Sequence, residues 1–294
     1  MIINGKELAS SILQKNLKRV QKFETKPKLV VITIGDDPAS NVYVNNKRKA
    51  AEQVGLEFEQ IKFSETTSYH TILEALVNSN YFAYNVAGII IQLPIVSSVL
   101  TEQEKKVLTQ LISTDKDVDG FVPESKFTPC TPKGVMCMLE SIPNLDLSGK
   151  TALVIGRSNI VGKPLAKLLL DKNCTVIQAH SRTPKDVLFR LFSISDIVVS
   201  AVGKPDIIST DDAEQYWKDN RTDFYGDFTN KLHRVIIDVG INRVDGKLCG
   251  DFSEEFKSKY SEYYSPVPNG VGPMTVAMLI DNTVEAWEEL QQNR

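Results

Sequence analysis

The chain has 294 residues, 42% of them hydrophobic and 24% charged, with a formal net charge of −3 at pH 7. That length holds two domains with cores of their own, and the slightly acidic balance gives no support to nucleic-acid binding. No apolar run approaches the ~20 residues of a membrane span, and the opening MIINGKELAS lacks the basic-then-apolar pattern of a signal peptide.

Residues 6–21 read as an amphipathic helix, and LVVITIG (29–35) as a buried strand. A helix follows over 38–54, with Asp37 as N-cap, Pro38 in the first turn and Gly55 as C-cap. A strand at 57–63, a helix at 66–79 and a buried strand GIIIQLP (88–94) come next. This βαβαβ order predicts a parallel sheet with helices on both faces, that is, an α/β fold. A helix at 101–112 and a loop at 113–134 close the first domain, and a helix at 134–142 leads into the second. The second domain holds apolar runs at Ala152 to Ile155, 174–183, 196–203 and 234–241. A polar segment at 209–233 interrupts it and reads as a surface excursion. The last helix, 273–291, carries Val276, Ile280, Val284, Trp287 and Leu290 on one stripe. The expected division is 1–133, completed by 273–294, and 134–272. Cys130, Cys137, Cys174 and Cys249 are scattered with no C-x-x-C, which argues against a zinc site or a disulfide frame and for reduced thiols in the cytosol.

Within TALVIGRSNIVGKPLAKLLL (151–170) a β-type run enters a turn at Gly156, followed at once by a helix with Leu165, Leu168 and Leu169 on its apolar face. A strand, a tight turn and a helix N-terminus present backbone N–H groups to a phosphate, as in a dinucleotide-binding βαβ unit. Ser158 stands where G-x-G-x-x-G has its second Gly, and its hydroxyl remains able to donate to a phosphate oxygen; Gly162 keeps the place where helix and strand approach. An αβ turn of any parallel sheet is the other reading of this stretch. The next strand ends in Ser181, Arg182 and Thr183 rather than in an acid, which suits a 2′-phosphate and so NADP.

Tyr43 and Lys47 share a helix face with Ala50, Ala51 and Val54, which should be the buried one. A Lys among apolar positions is either paired or depressed in pKa, both suited to proton transfer, or it snorkels to the surface. Gln92 interrupts an apolar strand just before Pro94, where ligands bind in open α/β sheets, unless it only satisfies a loop backbone. Asp117 and Asp119 lie in DKDVDGF, a turn-like segment too short for a calcium loop. PVPNGVGPMT (266–275) delivers a helix N-terminus at Pro273, with Thr275 available to a ligand; a ligand-facing role is favoured over a rigid connection. His70, His180 and His233 show no metal spacing, so no metal is expected.

Taken together, GDDPASNVYVNNKRKAAEQVG (35–55), GIIIQLP (88–94), DKDVDGF (115–121), PCTPKGV (129–135), VIGRSNIVGKPLAKLL (154–169), HSRT (180–183), VIIDVGIN (235–242) and PVPNGVGPMTVAML (266–279) resemble the bifunctional methylenetetrahydrofolate dehydrogenase/methenyltetrahydrofolate cyclohydrolase family. The resemblance runs over nearly the whole chain. It implies an N-terminal α/β catalytic domain that binds folate and a C-terminal Rossmann-like NADP-binding domain, with the last helix returning to the first domain and folate in the cleft between them. By resemblance Tyr43 stacks on the folate, Lys47 is the main catalytic residue, Gln92 assists it and Asp119 grips the pterin. Leu93 and the loop Pro268, Asn269, Gly270, Val271 and Gly272 border the substrate. Gly156, Arg157, Ser158, Ser181, Arg182 and Ile241 match cofactor positions, and Thr275 is grouped with them. The implied reactions are NADP-dependent oxidation of 5,10-methylenetetrahydrofolate and hydrolysis of the methenyl product to 10-formyltetrahydrofolate. A homodimer in the cytosol, with a place in purine biosynthesis, is also implied, with no nucleic acid and no membrane as partner.

The sequence departs from the family pattern in three places. Asn269 replaces the usual Gly of PVPGGVGP, and Asn is the next best residue at positive φ. Residues 122–128 are shorter than usual and lack the usual His and Asn. The 209–233 excursion is longer than the family's connection. Two rival readings are a monofunctional dehydrogenase and a non-catalytic folate- or nucleotide-binding regulator. The Lys47 and Gln92 pair argues against the first, and intact Tyr43, Lys47, Gln92 and Asp119 against the second.

Overall fold

A computed structural model describes residues 1–219 and 234–292. They fall into two compact units, one of Ala9–Cys130 with Val276–Arg294, the other of Met1–Leu8 with Thr131–Thr275. The division therefore cuts the first and last helices, and the chain's first residues belong to the second unit rather than the first.

The first unit takes in most of α1 (Gly5–Val20), then β1 (Lys28–Ile34), α2 (Pro38–Val54), β2 (Glu57–Phe63), α3 (Tyr69–Val77), β3 (Val86–Ile91) and α4 (Glu102–Gln110). The three strands form a parallel sheet in the order β2-β1-β3. β1, KLVVITI, is central and almost wholly buried, as expected of a β-branched run covered on both faces. β2, EFEQIKF, is an edge strand whose charged residues face solvent. Val30, Ile32, Ile34, Ile72, Leu76, Ile89 and Ile91 form the core. α2 starts where its caps dictate: Asp37 accepts from the Ser40 N–H at 2.7 Å, and Gly55 ends the helix at φ 86°.

Some boundaries differ from the sequence expectation. The helix read at 66–79 begins only after Ser68, which caps it, and ends in a π turn at Asn78–Phe82. The strand read at 88–94 is Val86–Ile91, so Gln92 stands just beyond its end. The helix read at 134–142 is α5 (Cys130–Glu140). Pro132 lies in its first turn, where a missing N–H costs no hydrogen bond.

The second unit carries β4 (Thr151–Ile155), α6 (Gly162–Asp171), β5 (Thr175–Ala179), α7 (Lys185–Ile194), β6 (Ile197–Ser200), α8 (Thr210–Asp219), β7 (Val235–Asp238), a hairpin β8 (Asn242–Val244) and β9 (Lys247–Cys249), α9 (Glu254–Tyr260) and β10 (Tyr263–Tyr264). Its five-stranded sheet is parallel throughout, in the order β10-β7-β6-β4-β5. From β4 the chain moves to β5 on one side and then to β6 on the other. The strand order thus reverses at β4 and β6, and a crevice opens at their C-terminal ends. The core is rich in phenylalanine, with Phe252 stacked on Phe256 at 5.0 Å. Part of the expected 209–233 excursion is ordered structure: α8 buries Ala213 and stacks Tyr216 on Phe189 at 4.7 Å. Residues 220–233 lie outside the described residues.

The last helix, α10 (Val271–Gln292), starts two residues before the expected Pro273, which again sits in the first turn. Its later part belongs to the first unit. There Asn282 Nδ2 donates to the carbonyls of Val118 at 2.8 Å and Thr128 at 3.1 Å, while Arg19 of α1 pairs with Asp281 at 2.9 Å and Glu288 at 2.6 Å.

Candidate active site

Lys47 is only 8% exposed, so the snorkelling alternative is wrong. Its Nζ donates to Gln92 Oε1 at 2.9 Å. The Gln92 amide is fixed from its other end, where Nε2 donates to the Leu93 carbonyl at 2.7 Å, and the buried Ser40 hydroxyl donates to the same carbonyl at 3.2 Å. Two segments thus hold one ammonium group: α2, which the Asp37 cap starts, and the end of β3, which stops before the cis Leu93–Pro94 bond. Gln92 is the hydrogen-bond partner that the described residues give Lys47, and a lysine offers three protons. Tyr43, one turn earlier, is 37% exposed, so the face is buried around Lys47, Ala50, Ala51 and Val54 but opens at Tyr43. Ser40 was not singled out in the sequence; a serine in a helix's first turn carries no signal beyond capping.

Residues 116–118 run beside β3, where the Ile89 N–H donates to the Lys116 carbonyl at 2.8 Å. Asp117 is fully buried and accepts from the Val122 N–H at 2.8 Å; burial pushes its carboxyl up from the ordinary carboxylate range. Its carbonyl accepts from the Ser125 hydroxyl at 3.1 Å, so the short 122–128 segment is tied down by Asp117. Asp119, half-buried, is displayed by this turn.

In the second unit the turn after β4 has the geometry of a phosphate cradle. Gly156 has φ 128°, and a Cβ on Gly162 would stand 2.3 Å from the Gly156 carbonyl oxygen, so only glycine lets α6 start this close to the strand. Ser158 Oγ accepts from the N–H groups of Val161 at 3.1 Å and Gly162 at 3.3 Å, which leaves its own proton to donate outward. Arg157 and Ser158 are exposed. The HSRT turn is closed on its own backbone N–H groups: Thr183 N–H donates to the His180 carbonyl at 2.8 Å, His180 N–H to Thr183 Oγ1 at 3.0 Å and Arg182 N–H to His180 Nδ1 at 3.2 Å. Ser181 and Arg182 are left exposed at its tip, as is Ile241 beyond β7. This donor set suits a dinucleotide with an extra phosphate.

Asn269 has φ 75°, the left-handed backbone expected of a residue standing in for Gly. Its carbonyl accepts from the Lys6 N–H at 3.1 Å. Pro268 follows a cis bond, and a Cβ on Gly5 would stand 2.0 Å from the Gly270 carbonyl oxygen, so residues 268–270 lie against the start of α1. Val271 and Gly272 open α10. Thr275 sits inside that helix; its hydroxyl donates to the Val271 carbonyl at 3.2 Å and stands 3.1 Å from Thr131 Oγ1. No metal-ligand cluster of three or more His, Cys, Asp or Glu occurs among the described residues.

Two family models match the chain: tetrahydrofolate dehydrogenase/cyclohydrolase, catalytic domain, over residues 3–119, and its NAD(P)-binding domain over 129–216 and 226–291. The "Bifunctional protein FolD" of Dechloromonas aromatica is 43% identical, over 98% of this chain and 97% of that protein. The Bacillus subtilis protein of that name is 40% identical, over 97% and 96%. Among solved structures, the FolD methylenetetrahydrofolate dehydrogenase/cyclohydrolase of Campylobacter jejuni is 34% identical, with a TM-score of 0.85 over 98% of this chain and 99% of that one. The Trypanosoma brucei enzyme, solved with NADP and an inhibitor, is 27% identical with a TM-score of 0.83, over 98% and 97%. On this evidence the chain belongs to the tetrahydrofolate dehydrogenase/cyclohydrolase family.

Proposed function

We propose that Lys47, held by Gln92, moves the protons in the second of this enzyme's two reactions, and that Tyr43 and Asp119 place the folate for both. The reactions are the NADP-dependent oxidation of 5,10-methylenetetrahydrofolate and the hydrolysis of the methenyl product. NADP, when bound, supplies the hydride acceptor. Everything else in the first step is alignment, for which Tyr43 offers an exposed ring face and Asp119 an acceptor for the pterin's N–H groups. Gly156, Arg157, Ser158, Ser181, Arg182 and Ile241 hold the dinucleotide on this reading, with Thr275 nearby in sequence to the loop 268–272 that borders the substrate along with Leu93.

In the second step water adds to the methenyl carbon, the bond from that carbon to N5 breaks, N5 takes a proton and one proton leaves to solvent. Lys47 can take a proton from the attacking water through its neutral amine and hand one to N5 as the ammonium so formed, while Gln92 fixes where the nitrogen atom stands. The observation that carries this reading is the 2.9 Å bond from a buried Lys47 to Gln92. A coupled assay tests it by following NADPH formation from methylenetetrahydrofolate and then decay of the methenyl absorbance. Oxidation without decay beyond the spontaneous rate would leave only the dehydrogenase half. The reading extends to a homodimer in the cytosol whose 10-formyl product feeds purine biosynthesis. It is supported by the full-length likeness to the family and by cysteines that stand unbridged; sedimentation tests the dimer.

A further inference from the structure

The second unit buries a set of charged side chains that neither reaction uses. Asp238, Asp251 and Lys257 are all buried, and each is enclosed by hydrogen bonds. Asp251 follows β9 and turns its carboxylate towards the end of β6. Its Oδ2 accepts from Ser200 Oγ at 2.7 Å, Val202 N–H at 2.8 Å and Gly203 N–H at 3.3 Å. Its Oδ1 accepts from Lys204 N–H at 2.9 Å and Asn242 Nδ2 at 3.1 Å. Asp238, at the end of β7, accepts from the N–H groups of Asp251 at 2.9 Å, Phe252 at 3.0 Å and Gly240 at 3.1 Å. Lys257 Nζ stands 3.6 Å from Asp238 Oδ2 and donates to the Ser265 carbonyl at 3.0 Å.

Two glycines make room for these carboxylates. A Cβ on Gly240 would stand 2.0 Å from Asp251 Oδ1, and one on Gly250 would stand 2.0 Å from Asp238 Oδ2. What they fix is the segment 201–204, at the C-terminal edge of the sheet where the strand order reverses. Ala201 N–H donates to the Ile155 carbonyl at 2.8 Å, and a Cβ on Gly156 would stand 2.5 Å from the Ala201 carbonyl oxygen. The segment that Asp251 gathers is therefore the wall against which the Gly156 turn packs. A single neutral oxygen has two lone pairs for three successive N–H groups; the two oxygens of a carboxylate satisfy all three with charge-assisted bonds.

We propose that Asp251, seated by Asp238, is a positioning residue for the dinucleotide: it sets residues 201–204 against the Gly156 turn and so fixes where the cofactor's phosphates are received. This rests on the assignment of Gly156 to Ser158 to the cofactor. The enzyme supplies its own control, because hydrolysis of the methenyl compound needs no nucleotide. In Asp251→Asn, the Kd and KM for NADP should rise about tenfold, the effect of losing charge-assisted bonds, while hydrolysis of preformed methenyl compound without nucleotide is unchanged. An unmodified NADP affinity would overturn the proposal, as would an equal loss of both activities, which marks a merely structural residue. If Asp251→Asn does not fold, Ser200→Ala removes one bond to the same carboxylate and should weaken NADP binding by roughly twofold to tenfold; unchanged binding overturns the proposal. Hydrogen exchange of the unmodified protein with and without NADP separates the two assumptions. Protection at 156–163 with normal NADP affinity in the variant sinks the positioning role alone. No protection there sinks the cofactor assignment and the proposal with it.

Discussion

The two regions proposed to carry the reaction and the cofactor are held in opposite ways. In the first unit, Lys47 is buried and tied by side chain to side chain, Nζ to Gln92, with Gln92 tied in turn to Leu93. In the second, Arg157 and Arg182 are exposed, and it is the backbone beneath them that is fixed, by the HSRT turn and the Gly156–Gly162 contact. A group that moves a proton must stand within a fraction of an ångström of its target before the substrate arrives. A group that meets a phosphate acts through charge over a longer range, so it is enough that its Cα is placed and its side chain reaches.

The sharpest way to break this contrast is Lys47→Met, which keeps most of the stem's packing but removes the nitrogen proposed to move protons. Cyclohydrolase activity should fall by ~10²–10⁴-fold while a measurable dehydrogenase remains. The methenyl compound then accumulates in the absorbance trace, and hydrolysis at the unmodified rate would reduce Lys47 to a structural lysine. Gly162→Ala attacks the other region through its backbone. The new Cβ would stand 2.3 Å from the Gly156 oxygen, an overpacking that costs about 1–3 kcal/mol. NADP binding by calorimetry should weaken while nucleotide-free hydrolysis persists; a variant with normal NADP affinity would show that the turn tolerates what the geometry forbids. Arg182→Ala leaves the backbone alone and removes one charge. Its preference for NADP over NAD, read as a ratio of kcat/KM, should drop about tenfold, and a protein that used both cofactors equally before the change would dispense with that role. The smallest effect belongs to Asn269, at φ 75°. Asn269→Gly should be close to neutral in Tm, and Asn269→Ala should lose about 1 kcal/mol, since Ala has neither glycine's freedom nor the local hydrogen bonds of Asn in the left-handed region. Equal Tm values for the two variants would mean the loop carries no strain.

Much of this was legible in the sequence because the signals are local. Asp37, Pro38 and Gly55 bracket α2 as caps do, and the β-branched runs of β1 and β3 announce a buried parallel sheet. Asn269 between Pro268 and Gly270 announces positive φ. Position singled out Lys47 and Gln92 separately and only the family resemblance paired them; the bond between them joins residues on different elements and needed the structure. What stayed hidden was of two kinds. Proline blurred helix starts: α5 and α10 each accommodate one in the first turn, so each begins before the expected residue. Buried charge was invisible as well: Asp238 falls within an apolar run, and no local pattern marks Asp251 or Lys257. Only the fold shows that three strand ends and a helix converge on them. Likewise the polarity of 209–219 suggested a loose excursion, whereas Ala213 and Tyr216 give α8 an apolar side facing α7.

The division of α10 has a consequence for how the chain is made. The first unit draws on Val276–Arg294, and the second on Met1–Leu8. Ile2 pairs with Tyr264, and Asn282 with the carbonyls of Val118 and Thr128. A chain emerging from the ribosome therefore displays its first residues long before their partners exist. It also completes the sheet of the first unit while Ala277, Ile280, Val284 and Trp287, all buried in the finished protein, are still to be synthesised. Neither unit can be closed by translating its main segment alone: the earlier-made unit is sealed by a helix that is synthesised only after the strands of the second.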